Sequence, residues 1–470
     1  MPRTPAATKT ATSDAKAALA KLETLSSEQL ARRMVERRAV EAVIWGMAAV
    51  NFDLMYQAMV REVKGGWNQI VYWSGLPDWK NQTLTPNPDS IYLMPFFNLK
   101  DGPVVIAIPP ADDGTIVGTI MDSWQGALED VGPAGADKGK GGKYLILPPG
   151  YTDKTPDGYT PLQSDTTLGY ALLRAILKSG SEADLASAIA YGKRIAVYPL
   201  AKAANPPATA FVDALGIVFD ATIPYDIRFF ESLNRFVQAE PWLTRDKAMI
   251  DPLKTIGIVK GKPFQPDPAT REILEDAARE AHAWLDAKYG RIFDTPFDAS
   301  ARWTLPASHE LLEGLQTFFA RPDTYPIDDR GVTYSMAFFS PKHMSTGSYY
   351  LMAIADKAGD ALDGANNYHL TVPANPPVSL YWSATVYDRE THALVRNQPH
   401  ASRSSLSPGL QMYRGGAVDV WFGPKAPAGK ESNWIPTDPA GKFEVLFRFY
   451  GPQKPLFDKT WRLPDIEKVN

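Results

Sequence analysis

Two short stretches carry the residue types from which chemistry is usually made. In residues 84–92, Pro86 and Pro88 flank Asn87 and hold the chain extended, so Asn87 and Asp89 are presented rather than wound into a helix. Tyr92, Asp122, Trp124 and Gln125 are the other polar and aromatic residues tied most closely to apolar runs. If Asp89 and Asp122 met in one pocket, they would do acid–base work once burial separated their pKa values. They would equally hold a calcium-like ion through oxygen ligands, or simply cap a turn and end a strand. Arg174 lies inside the apolar run 168–177. A buried arginine needs a partner, and either aspartate would serve.

The second stretch, residues 380–388, alternates strictly. Tyr381, Ser383, Thr385 and Tyr387 point one way; Trp382, Ala384, Val386 and Asp388 point the other. A face of hydroxyls and phenols suits either the wall of a polar pocket or an exposed sheet. Arg396, Asn397, Asn433, Trp434, Arg448 and Tyr450 are candidates of the same kind. Of the six histidines, His343 lies in a loop between β-like segments and is the best general-base candidate. No histidine pair has metal-ligand spacing on one element, and His309-Glu310 lacks the second histidine of a zinc-protease helix. The Gly/Lys loop 135–142 lacks the Gly-Lys-Ser/Thr of a phosphate loop, and no Gly-x-Ser-x-Gly elbow is present.

Elements to position these residues are legible around them. Ser26 and Gln29 form a capping box, and Leu30, Met34, Val40, Val43, Ile44, Met47 and Val50 recur at helical spacing. A long, partly buried helix is expected to about residue 63, broken near Gly46. Trp67, Tyr72, Trp73 and Trp79 follow in a loop-like segment. Short β-like runs alternate with turns from 84 to 200, helices are expected over 227–236 and 268–289, and β character returns from 333. The 470 residues exceed one ordinary core. Hydrophobic residues at 44%, charged residues at 22% and a net charge of −4 show no basic stripe for nucleic acid. No apolar run approaches membrane-spanning length. The absence of cysteine excludes thiolate metal sites, disulfides and cysteine nucleophiles. The N-terminus has no hydrophobic signal-peptide core, and a signal removed before Met1 remains an option.

Residues 86–92, then 99–105, Met121-Asp122 and 142–150, resemble domain-of-unknown-function family 1254. Pro88 stands where that family's usual motif has asparagine, and Ser90 where it has threonine. Residues 381–388, 433–436 and 446–452, with Trp461 and Pro464, resemble family 1214, its regular C-terminal companion. The resemblance implies two jelly-roll-like β domains with helical additions, and periplasmic or secreted bacterial relatives; a cytoplasmic location stays open. It supplies no reaction.

The expected fold class is therefore β-dominated α+β, with two jelly-roll-like β-sandwich domains, an N-terminal helix and a helical connector. The expected layout is a disordered tail over 1–25, a helix plus β domain over 26–205, the connector over 206–330 and a C-terminal sandwich over 331–470. The expected function is an enzyme of hydrolase or lyase type acting on a small organic molecule in a cleft lined by both β domains. Asp89 or His343 would be the base, Asp122 its partner and Arg174 a charge stabiliser. Tyr92 and Trp382 would be walls, with Asn87, Trp124, Thr385, Tyr387, Trp434 and Arg448 as further ligand contacts. The alternative is a non-catalytic ligand-binding or assembly protein of the cell envelope. No cofactor is named beyond the calcium-like option at Asp89 and Asp122. The partners expected are a small-molecule ligand and further copies of the chain, with no nucleic acid.

Overall fold

The structure, a computed structural model, describes residues 25–338, 341–343 and 347–469. The tail expected over 1–25 lies, but for Leu25, outside the described residues. Helix α1 (Ser27–Val63) leads into β1 (Gln69–Tyr72), β2 (Asn81–Gln82), β3 (Ile91–Asn98), β4 (Val104–Ile108), β5 (Ile116–Asp122) and β6 (Ala127–Val131). Next come β7 (Gly142–Leu147), β8 (Thr160–Gln163), β9 (Leu168–Ala175), α2 (Glu182–Gly192), β10 (Ala196–Pro199), β11 (Phe211–Asp213) and β12 (Phe219–Asp220). A helical segment follows: α3 (Ile227–Ala239), α4 (Ile250–Thr255), α5 (Pro268–Ile292), α6 (His309–Gln316) and α7 (Ile327–Met336). The second β unit comprises β13 (Ser348–Ala353), β14 (Asn367–Val372), β15 (Trp382–Asp388), β16 (Ser402–Ser404), β17 (Val418–Gly423), β18 (Trp434–Pro436), β19 (Phe443–Tyr450), α8 (Lys454–Phe457) and β20 (Glu467–Val469).

Each β unit is two facing sheets over a shared apolar core. In the first, a six-stranded sheet ordered β11-β1-β3-β9-β5-β6 faces a four-stranded one ordered β10-β4-β7-β8. Ile91, Leu93, Ala171 and Leu173 from one sheet pack on Val104, Ile106, Tyr144 and Ile146 from the other. In the second unit, β13-β19-β15-β16 faces β18-β17-β14-β20, with Trp382, Ala384, Val386 and Phe447 set against Leu370, Val420 and Phe422. The protein is thus an α+β molecule with two β units, an N-terminal helix and a helical segment between them.

Helix α1 starts as its sequence dictates. The Ser26 side chain accepts from the Gln29 N–H, and the Gln29 side chain accepts from the Ser26 N–H. From Ala39 onward its residues are largely buried, against α3, α5, α7 and the outer face of the six-stranded sheet. The helix is long and apolar enough to cross a bilayer, contrary to the sequence reading, but 78% of its most apolar window is buried inside the protein.

Several boundaries differ from expectation. The loop-like aromatic segment after α1 contains β1, which pairs with both β3 and β11. The connector begins after residue 220 rather than 206, because β11 pairs with β1 and β12 with β2. Residues 333–336 belong to α7 rather than to the second β unit. Helix α1 runs unbroken through Gly46. That glycine serves close packing: a Cβ there would meet Leu233 Cδ1 of α3 at 2.8 Å.

Gly46→Ala therefore gains helix propensity, about 1 kcal/mol, but forces Leu233 aside, at about 1–3 kcal/mol. We expect a net loss of stability in urea unfolding. A net gain would show that the two helices are less closely apposed.

Candidate functional site

The outer face of the six-stranded sheet and the hydroxyl face of the second unit meet at the Asn87 corner. Asn87, fully buried, is held by its own backbone neighbours. Its Oδ1 accepts from the Asp89 N–H at 3.0 Å, and its own N–H donates to Tyr92 Oη at 2.7 Å. Since a main-chain N–H can only donate, Oδ1 must face it and Nδ2 must face away. Nδ2 donates to Tyr381 Oη at 3.0 Å and Tyr450 Oη at 2.7 Å. Two phenols of the second β unit are thereby bound to one side chain of the first.

The alternation read from residues 381–387 is what delivers those phenols. Tyr381, Ser383, Thr385 and Tyr387 are all fully buried at this interface, whereas Trp382, Ala384 and Val386 enter the sandwich core. The exposed-sheet option is thereby removed. On the neighbouring strands of the same sheet, Tyr350 of β13 and Ser383 of β15 both stand opposite Arg448 of β19. Arg448 donates from Nη1 to Thr385 Oγ1 (2.9 Å), and from Nη2 to Tyr387 Oη (2.5 Å) and the Thr85 carbonyl (2.9 Å). Tyr387 in turn donates to the Pro86 carbonyl at 2.5 Å. Thr85 and Pro86, which lead into the corner, are therefore gripped from the second unit.

From the first unit, β3 and β9 pair so that Tyr92 stands opposite Arg174, and the Arg174 guanidinium lies 5.1 Å over the Tyr92 ring. Nε of Arg174 is sealed from solvent and has no hydrogen-bond partner, and among the described residues no carboxylate forms an ion pair with the guanidinium. The expected pairing of Arg174 with Asp89 or Asp122 does not form. Arg174, Tyr350, Val117 and Ser348 are only half-buried, although Tyr92, Tyr381, Arg448 and Tyr450 around them are buried. These four side chains keep accessible surface amid buried neighbours, and we read that recess as a chamber between the two sheets.

Hydrogen-bond direction gives this chamber a polarity. With Nδ2 of Asn87 donating to Tyr450, the Tyr450 proton is free to donate onward to Tyr350, which also accepts from Ser348 Oγ at 3.1 Å. Burial pushes the Tyr350 phenol up, but Arg174, Arg448 and the Ser348 and Tyr450 hydroxyls together outweigh it and hold the group below the usual tyrosine value. The other phenols behave oppositely: burial drives Tyr381, Tyr387 and Tyr450 up.

Asp89 sits beside this cluster. Burial raises its carboxyl, offset in part by the Ser402 hydroxyl, Arg448, the Ser404 hydroxyl and Arg403. It also lines a separate cavity of about 310 Å³ with His400 and Arg403.

Other sequence candidates lie elsewhere. Asp122 pairs across to Gly169 at one end of β9, while Ile91, just after Asp89, stands opposite Ala175 at the other. At about 3.3 Å per residue this separates the two carboxylates by roughly 20 Å. They neither share a proton nor hold one calcium-like ion. Asp122 accepts from the Trp124 and Gly126 N–H groups at 3.0 and 2.7 Å, near Arg245 and Arg330. Trp124 packs against Trp45, 4.9 Å between ring centroids, beneath the helical layer. His343 is exposed at the sheet edge, Nε2 3.2 Å from Glu129 Oε1. Trp382 stacks on Phe447 inside the sandwich core. Trp434, on edge strand β18, donates to the Gly423 carbonyl. The structure therefore assembles Asn87, Asp89, Tyr92, Arg174, Thr385, Tyr387 and Arg448, and leaves out Asp122, His343, Trp124, Trp382 and Trp434. Tyr350 was not singled out from the sequence; its strand reads as an ordinary aromatic one.

Residues 67–199 match the family described as "Protein of unknown function (DUF1254)", and residues 347–454 that described as "Protein of unknown function (DUF1214)". The chain belongs to the proteins that carry these two domains in tandem. Every chamber residue named above falls inside one matched segment or the other, so the chamber lies where the two domains meet. No curated protein matches the chain. Among solved structures, the VPA0106 protein from Vibrio parahaemolyticus is similar over 93% of this chain and 100% of its own, with a TM-score of 0.55 and 17% identity. An uncharacterised protein from Burkholderia cenocepacia aligns over 93% and 94% with a TM-score of 0.41 and 12% identity. The first likeness shows the fold alone.

Burial raises Asp122 to about 6, against the pull of Arg245, the Gly126 N–H and Arg330. Between about pH 4 and 6 the folded protein holds a proton that the unfolded chain has lost. Stability from this group is thus present below about pH 4 and lost as the pH rises through 6. Asp122→Asn keeps an acceptor for both N–H groups and removes the ionisation. From about pH 4 to pH 7, its stability relative to wild type should rise by about 2–3 kcal/mol. A pH-independent difference would contradict this.

Proposed function

We propose that this protein is an enzyme acting on a small organic molecule by proton transfer, of lyase or hydrolase type, in the chamber between its two β units. Tyr350 is the base. The observation that supports this is its setting: a phenol that accepts from Ser348 and Tyr450 and is flanked by the guanidiniums of Arg174 and Arg448. Hydrogen bonds and positive charge both favour the ionised oxygen, and a base must be poised near the working pH to be efficient. Arg174 steadies charge on the substrate, while Arg448, committed to Thr385, Tyr387 and Thr85, fixes the geometry. This reassigns the base role from Asp89 or His343 to Tyr350.

The alternative, a ligand-binding protein without catalysis, would use the same Arg174 and leave Tyr350 a wall. One variant separates the two. In a screen of esters, amides and hydroxy compounds, Tyr350→Phe should lower kcat for any substrate turned over by about 10²–10⁴-fold and leave KM nearly unchanged. The wild-type rate should rise with pH to a limb below the ordinary tyrosine range, and Arg174→Gln should move that limb to higher pH. A fully active Tyr350→Phe would exclude the phenol as base.

A further inference from the structure

We infer that the chamber takes a small monocarboxylate with an apolar body, its carboxylate held by the Nη end of the Arg174 guanidinium. This rests on the reading of the chamber as the ligand site. A guanidinium cannot shed its proton, and leaving one inside a protein without an acceptor is costly. Arg174 comes near that position: no carboxylate among the described residues pairs with it, its Nε is shut in without an acceptor, its guanidinium lies beside the Tyr92 phenol, and the side chain as a whole is only half-buried. Arg448 differs, since both of its Nη atoms already donate to protein oxygens. With Nε shut in, the Nη end of the half-buried guanidinium is the part a ligand can reach, and its two N–H groups side by side match a planar carboxylate.

Charge favours a single negative group. Arg448 is committed to protein oxygens, so Arg174 supplies one positive charge without a carboxylate partner, which a monoanion balances and a phosphate dianion would exceed. The walls flanking Arg174 supply the rest of the preference. Val117 on β5 and Tyr92 on β3 stand opposite it on either side, and Leu172 precedes it on the same face of β9. These surfaces suit hydrocarbon or an aromatic ring.

The test is calorimetric binding to the full chain with benzoate, its uncharged isostere benzamide, and inorganic phosphate. Benzoate should bind at least about tenfold more tightly than benzamide or phosphate, the loss of a charge-assisted pair. Arg174→Gln should abolish that preference, with Arg174→Lys restoring part of it. Equal affinity for benzoate and benzamide in the wild type, no benzoate binding at all, or tighter binding of phosphate would each overturn the inference; none of these needs a variant to fold. Benzoate binding also separates this inference from the function above. If it is absent while Tyr350→Phe still abolishes turnover, only the carboxylate assignment falls. If benzoate binds while Tyr350→Phe is fully active, the carboxylate site stands and the phenol is not the base.

Discussion

One carboxamide holds the architecture in register. Asn87 is fixed by the Asp89 N–H on one side, and on the other it donates to two phenols that lie 294 and 363 residues further along the chain. A buried amide left without partners would cost a few kcal/mol, so the two β units are bound to dock where those phenols can reach. The flanking prolines limit the conformations of the loop before docking and so lessen the entropy lost in fixing it. Because an amide has a definite donor end, the same contact that joins the units also sets which way the phenol protons point. Structure and chemistry at this seam therefore share one cause.

Other buried polar clusters in the molecule show what a purely structural solution looks like. Glu240 accepts from the Thr167 N–H and hydroxyl, the Leu168 N–H and the Ser123 hydroxyl. Glu444 is closed by Tyr289 and His392, each at 2.8 Å. Gln125, Asn51, Tyr170 and the Tyr334 carbonyl form a linked chain that ties α1 and α7 to the six-stranded sheet. In each of these the carboxylate or amide meets donors and acceptors from the protein itself, which is what stability requires. Arg174 departs from that pattern, and it does so where the surrounding wall opens into a chamber.

The sequence showed the local half of this arrangement well. The period of two over residues 381–387 is a property of the strand itself, so the hydroxyl face was legible before any partner was known. The capping box at Ser26 and the proline-bracketed corner are local for the same reason. What was hidden depends on distance through space. Asp89 and Asp122 look alike in sequence, each beside an apolar strand, and only the register of β9 shows that they sit at opposite ends of it. Trp382 belongs to the same strand as Ser383, yet the pleat sends it into the other layer. Gly46 looks like a helix breaker until Leu233 is seen against it. Tyr350 gains its character mainly from Arg174 of β9 and Arg448 and Tyr450 of β19; only Ser348 belongs to its own strand.

The central claim is that the seam between the units makes one phenol unusually acidic while its neighbours are made less so. The most direct measurement is the ¹³Cζ chemical shift of Tyr350 followed against pH in tyrosine-labelled protein, assigned by its loss in Tyr350→Phe. The account predicts a midpoint below the ordinary value of about 10. A midpoint at or above that value would mean that the two guanidiniums and the hydroxyl donors together do not outweigh burial, and the chamber would lose its chemistry.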